Sequence, residues 1–145
     1  MRYASLSFSG KHRALLFMHS PYKSKGGFAR LFNALRYSVQ GLSAAFKEEA
    51  AFRQELLLTV IAVPLAIWIS RSLLEAVMLI GVLLFVLIME LVNSAIEALA
   101  DTISVDHHPL LGRAKDLGSA AVLLSLGLAA LVWLGVIWTH LASGL

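Results

Sequence analysis

The stretch Leu87–Asp101, LIMELVNSAIEALAD, continues an apolar run that begins at Leu73 and together with it is long enough to cross a membrane. It nevertheless carries Glu90, Asn93 and Glu97 with no basic residue among them. An ionisable group inside a membrane helix is costly, so Glu90 is a functional-site candidate by default. Positions i, i+3 and i+7 of a helix share one face, so E-x-x-N-x-x-x-E projects two carboxylates and an amide in one direction. Asp101, four residues beyond Glu97, continues that face and reads as the solvated end of the helix.

Composition agrees with a membrane protein. The chain of 145 residues is 59% hydrophobic and 14% charged, with a mean hydropathy of +0.79, too apolar for a soluble domain of this size. The absence of cysteine excludes disulfides, thiolate nucleophiles and cysteine-based metal sites. Nine of the twelve Lys and Arg residues lie at or before Arg53. Beside apolar spans, such a bias reports membrane orientation and anionic headgroups rather than nucleic acid.

Residues 1–26 are Ser-rich and basic, read as a flexible tail ahead of a membrane domain over 27–145. Over 28–47, Phe28, Leu31, Phe32, Leu35, Val39, Leu42 and Phe46 recur at helical spacing with polar residues largely between them. That pattern predicts an amphipathic helix in the membrane interface. Three spans follow, over 49–69, 73–100 and 117–141. The first contains Pro64 and reaches spanning length only if its helix starts near Glu49, bringing Arg53, Gln54 and Glu55 with it.

The Lys/Arg bias orients the N-terminus and the Asp101–Asp116 end to the cytoplasm and the C-terminus outward, with Trp68 and Trp138 as outer anchors. At about 1.5 Å per residue, Glu90 lies roughly 25 Å below Leu73, just inside the cytoplasmic boundary of a core about 30 Å thick, and Glu97 about 10 Å further. Counts from Trp68 and Trp138 bring Glu49, Lys115 and Asp116 to the same level. Three thin helices are not expected to shield Glu90 from lipid, and Ala121, Ser125 and Ala129 offer a small-xxx-small edge for close packing. Both features point to an oligomer.

Three stretches, EAAFRQE at Glu49–Glu55, ELVNSAIEA at Glu90–Ala98 and GRAKDLGSAAV at Gly112–Val122, resemble the small integral-membrane prokaryotic diacylglycerol kinase family. The resemblance covers Gly27 to about His140. It implies an all-helical homotrimer in the bacterial inner membrane that uses ATP and Mg²⁺ to convert diacylglycerol to phosphatidic acid. By the same resemblance Glu90 is the general base, Glu49 and Glu97 hold Mg²⁺, and Asn93 supports the reacting groups. Arg30, Tyr37, Asp106, His107, His108, Lys115 and Asp116, with the two metal-binding glutamates, contact ATP. Near the counted boundary, Arg30, Gln54 and Ser119 are available beside Glu90 as an expected lipid site. The chain has neither a Walker-type phosphate loop nor the Gly-rich loop and H-R-D of soluble kinases.

Two alternatives stand beside this reading. His108, Pro109 and Leu110 look more like the undecaprenol kinase branch, whereas GSAAV resembles the diacylglycerol branch. A small oligomeric channel or transporter would also place carboxylates in a span, but VMLIGVLLFVLIM, before Glu90, holds no ionisable residue to continue an ion path.

Overall fold

The computed structural model describes residues 27–103 and 108–144. Four helices build them: α1 (Gly27–Glu48), α2 (Ala50–Ile69), α3 (Leu73–Ile103) and α4 (Pro109–Ala142). Among the described residues there is no strand. Helices α2, α3 and α4 are each long and apolar enough to cross a membrane, and the chain is an all-α membrane protein. The expected basic tail, residues 1–26, lies outside the described residues.

The chain divides into two compact units, one ending at Gln40 and one beginning at Gly41. In the first, α1 exposes Phe28, Leu31, Phe32, Leu35 and Val39. A helix that leaves such a stripe uncovered is suited to the boundary between headgroups and acyl chains.

In the second unit, a single residue separates α1 from α2. Glu49 takes an extended conformation (φ −99°, ψ 115°) while its N–H donates to the Ala45 carbonyl at 2.9 Å. Arg53 donates from Nη1 to the Phe46 and Lys47 carbonyls at 3.1 and 3.0 Å, satisfying acceptors that the end of a helix leaves open. With its start at Ala50, α2 runs for 20 residues, about 30 Å, which is one hydrocarbon thickness. Pro64 lies inside it, omitting one backbone donor.

Helices α3 and α4 run antiparallel and are fastened along their length. Ser72 caps α3 by accepting the Glu75 N–H at 3.2 Å, and Glu75 reaches back to the Arg71 N–H at 2.8 Å, in the manner of a capping box. The same Glu75 oxygen meets His140 Nε2 at 3.2 Å, and Arg71 Nη1 donates to Ser143 Oγ at 2.7 Å. Further along, the Trp133 indole donates to the Leu79 carbonyl at 3.3 Å. At the opposite end Lys115 pairs with Asp101 at 3.1 Å. Two apolar clusters lie between the helices, Ala66–Leu79–Val136 and Ala45–Phe52–Leu87.

Helix α4 contains the third span expected over 117–141 and extends beyond it, beginning at Pro109, where a proline suits the first helical position because its missing N–H is not needed there. The polar GRAKD segment is therefore helical. One expectation needs correction: Glu90 is only 5% exposed within the single chain. Close approach of α4 explains this: Gly118, Ser125 and Ala129 are themselves buried, so the small residues read as an oligomer edge are used largely inside one copy.

At about 1.5 Å per residue, α3 and α4 measure roughly 46 and 51 Å, well beyond a core of about 30 Å. Their extra turns carry the charged residues of the Asp101–Lys115 end.

Candidate active site

One pocket of about 390 Å³ opens between the helices of the second unit, lined by Glu49, Ala51, Glu55, Glu90, Asn93, Glu97, Ser119, Val122, Leu123 and Leu126. Each helix contributes polar atoms for a local reason. The break before α2 offers Glu49, because Arg53 turns to the α1 carbonyls rather than to its i−4 neighbour. One turn and a half on, α2 presents Glu55. The i, i+3, i+7 face of α3 presents Glu90, Asn93 and Glu97, and α4 adds Ser119.

The carboxylates are close enough to act on one another. Glu90 lies within electrostatic reach of Glu49, Glu97 and Glu55. Asn93 donates from Nδ2 to Glu97 Oε1 at 3.1 Å, a charge-assisted bond that fixes the Glu97 head. Ser94 Oγ donates to the Glu90 carbonyl at 3.0 Å, closing one turn behind the buried acid. Glu55 Oε2 and Asn93 Oδ1 are buried without a hydrogen-bond partner. A buried acceptor left open is rare in native proteins. Glu55 Oε2, on the pocket wall, is available to a donor from outside the chain.

The expected site residues divide clearly. Glu49, Glu90, Asn93, Glu97 and Ser119 come together in the pocket. Gln54 does not: it is exposed on α2, one residue from Glu55, which takes the place on the wall. Lys115 holds Asp101 and lies near enough to Glu97 to feel its charge. Asp116 is exposed on the same helix, and His108, also exposed, precedes α4 in an extended conformation. Arg30 and Tyr37 are exposed on α1 in the first unit. Asp106 and His107 lie outside the described residues. Glu55 is the residue the sequence reading passed over, and its only signal was the motif EAAFRQE itself.

Among the described residues, no three His, Asp or Glu side chains cluster as a metal site. Two hard carboxylates, Glu49 and Glu97, in a pocket open to one side instead suit a cation that keeps other oxygen ligands. Mg²⁺ binds in this way, through one or two carboxylates with water and phosphate completing its shell.

Three helices long and apolar enough to span, with a carboxylate-lined pocket between them, define a small polytopic membrane protein with a polar pocket. Residues 36–137 match the family model described as prokaryotic diacylglycerol kinase. Over 114 residues the chain is 46% identical to the diacylglycerol kinase of Escherichia coli strain K12, covering 79% of this chain and 93% of that one. The diacylglycerol kinase of Pseudomonas aeruginosa is similar to the same extent. That of Haemophilus influenzae is 42% identical over 117 residues, 81% of this chain and 98% of its own. The chain belongs to the prokaryotic diacylglycerol kinase family, and it is an enzyme, a kinase of the membrane.

Proposed function

We propose that this protein transfers the γ-phosphoryl group of ATP to the hydroxyl of diacylglycerol, giving phosphatidic acid and ADP at the cytoplasmic face of the bacterial inner membrane. The observation that carries the reading is one pocket that gathers Glu49, Glu90, Asn93 and Glu97, with Glu90 5% exposed on its wall.

In this mechanism Glu90 takes the proton of the lipid hydroxyl as its oxygen forms a bond to the γ-phosphorus. The bond from that phosphorus to the β–γ bridging oxygen breaks, and ADP leaves. General base catalysis requires a carboxylate within hydrogen-bond reach of the hydroxyl. A diacylglycerol hydroxyl sits at the hydrocarbon boundary, the depth counted for Glu90, whereas the phosphates lie in water beyond, at the level of Glu97. Glu49 and Glu97 hold Mg²⁺, which when bound neutralises phosphate charge. Asn93 orients Glu97, and Lys115, held by Asp101, offers a cation to the phosphates. His108 and Asp116, beside the start of α4, would add nucleotide contacts. On the lipid side, the Ser119 hydroxyl can donate to the ester oxygens of the glycerol. The assembly is a homotrimer with the N-terminus cytoplasmic and the C-terminus outside.

The substrate assignment follows the relatives, which are named diacylglycerol kinases. Undecaprenol, the alternative lipid alcohol, is apolar around its hydroxyl and would leave the Ser119 hydroxyl without an acceptor. ADP release by the purified protein in mixed micelles tests the reading. It should depend on added sn-1,2-diacylglycerol and match phosphatidic acid mole for mole; ADP release that ignores the lipid would refute it.

A further inference from the structure

Gly118 stands where α4 passes α3, and the space its side chain would occupy is already taken. A Cβ built there would fall on Asn93 Oδ1, with Asn93 Cγ and Cα next at 3.4 and 3.6 Å. All three nearest atoms belong to that one residue. By contrast, Gly112, Gly127 and Gly135 on the same helix have nothing within 4 Å of the equivalent point. Both partners are buried, Asn93 at 8% exposure and Gly118 within the interior of the bundle.

The orientation of the Asn93 amide has a consequence at the pocket. A carboxylate only accepts, so Asn93 must turn its NH₂ toward Glu97 and its oxygen the other way. That oxygen points to Gly118 and has no hydrogen-bond partner. The amide can hold Glu97 only because α4 leaves room behind it.

We propose that Gly118 is a positioning residue of the active site: by lacking a side chain it admits the Asn93 amide oxygen, which sets the amide to restrain the Glu97 carboxylate toward the pocket. The functional part rests on Glu97 serving a nucleotide-bound cation, as proposed above. The geometry carries an unusual pairing of effects. Alanine in a helix interior is ordinarily more favourable than glycine, and the atom a methyl would strike is the movable end of a side chain. Gly118→Ala should therefore fold at least as stably as the wild type while releasing Glu97. A residue that merely packs the bundle would show the opposite, a loss of stability with function following it.

The chain has two asparagines, Asn33 and Asn93, so ¹⁵N-asparagine labelling in detergent micelles reads the side-chain amides directly, without nucleotide. In Gly118→Ala the Asn93 amide resonances should move and exchange faster with water, as they should in Glu97→Ala, while Asn33 stays in place. The thermal transition should be unchanged or higher. Binding of Mn²⁺ with a non-hydrolysable ATP analogue, followed by electron paramagnetic resonance, should weaken about tenfold, the worth of one charge-assisted hydrogen bond. This loss should vanish when Asn93→Ala is the background, and Gly127→Ala should show none of it.

An unchanged Asn93 resonance in Gly118→Ala, or a binding loss undiminished in the Asn93→Ala background, would overturn the positioning role. A shifted resonance with unaltered Mn²⁺·nucleotide binding would instead overturn the assignment of Glu97 to the cation. If Gly118→Ala fails to fold, the Gly118→Ala/Asn93→Ala double variant decides: recovery of folding supports the clash with Asn93, and continued failure refutes it.

Discussion

Replacing Glu90 by glutamine isolates the chemical step. The substitution keeps the length of the side chain and its capacity to hydrogen-bond but removes its ability to accept a proton. Glu90 is 5% exposed and enclosed by α2, α3 and α4, so a water molecule has poor access to replace it as base. The expected loss is the ordinary worth of a positioned base, about 10²- to 10⁴-fold in the rate of phosphoryl transfer, or about 3 to 5 kcal/mol of barrier at 1.36 kcal/mol per decade. Folding should survive, because a neutral amide is less costly to bury than a charged carboxylate. Single-turnover transfer from preformed enzyme–ATP complex to micellar diacylglycerol separates this step from product release. The thermal transition of the variant should not fall below that of the wild type. Transfer within fivefold of the wild-type rate, in a protein with an intact transition, would refute Glu90 as the base.

Further outcomes follow from the same geometry. Glu49→Gln and Glu97→Gln should each raise the Mg²⁺ concentration needed for half-maximal activity as well as lower turnover, since each removes one anionic ligand; normal Mg²⁺ dependence in both would remove them from the cation. Ser119→Ala removes a donor from the lipid wall of the pocket and should narrow the preference for diacylglycerol over undecaprenol by about 1 kcal/mol, typical of one hydrogen bond, as measured by kcat/KM for the two lipids. In this cysteine-free chain, Arg113→Cys should react with a membrane-impermeant maleimide only in inverted vesicles and Gly144→Cys only in intact cells; the reverse pattern would invert the proposed topology.

Much of the fold was legible because a bilayer imposes strong rules. Three long apolar segments can only be spans, and the i, i+3, i+7 spacing of Glu90, Asn93 and Glu97 fixes a common face whatever surrounds it. The start of α2 near Glu49 followed from length alone. What escaped were features set by rotation and close packing. Gln54 and Glu55 are neighbours on a helix that is apolar almost all round, and such a helix declares no inward face, so the sequence could not tell which of them lines the pocket. The partners of Arg53, two carbonyls left open at the break after α1, depend on a helix end that the sequence does not mark. Ser72-x-x-Glu75 is a capping-box pattern that the sequence did display, yet the partnership of Glu75 with His140 depends on the antiparallel register of α3 and α4. Gly118 is one of 10 glycines, and only its contact with Asn93 sets it apart. The burial of Glu90 inside one copy has the same origin, small residues on α4 letting the helices close.

The most direct measurement is transfer of labelled γ-phosphate from ATP by the purified protein to diacylglycerol and undecaprenol present together at equal mole fraction in one micelle. The account predicts labelled phosphatidic acid as the major lipid product, with that product reduced at least 10²-fold in Glu90→Gln. Faster labelling of undecaprenol, or labelled phosphatidic acid formed equally well by Glu90→Gln, would contradict it.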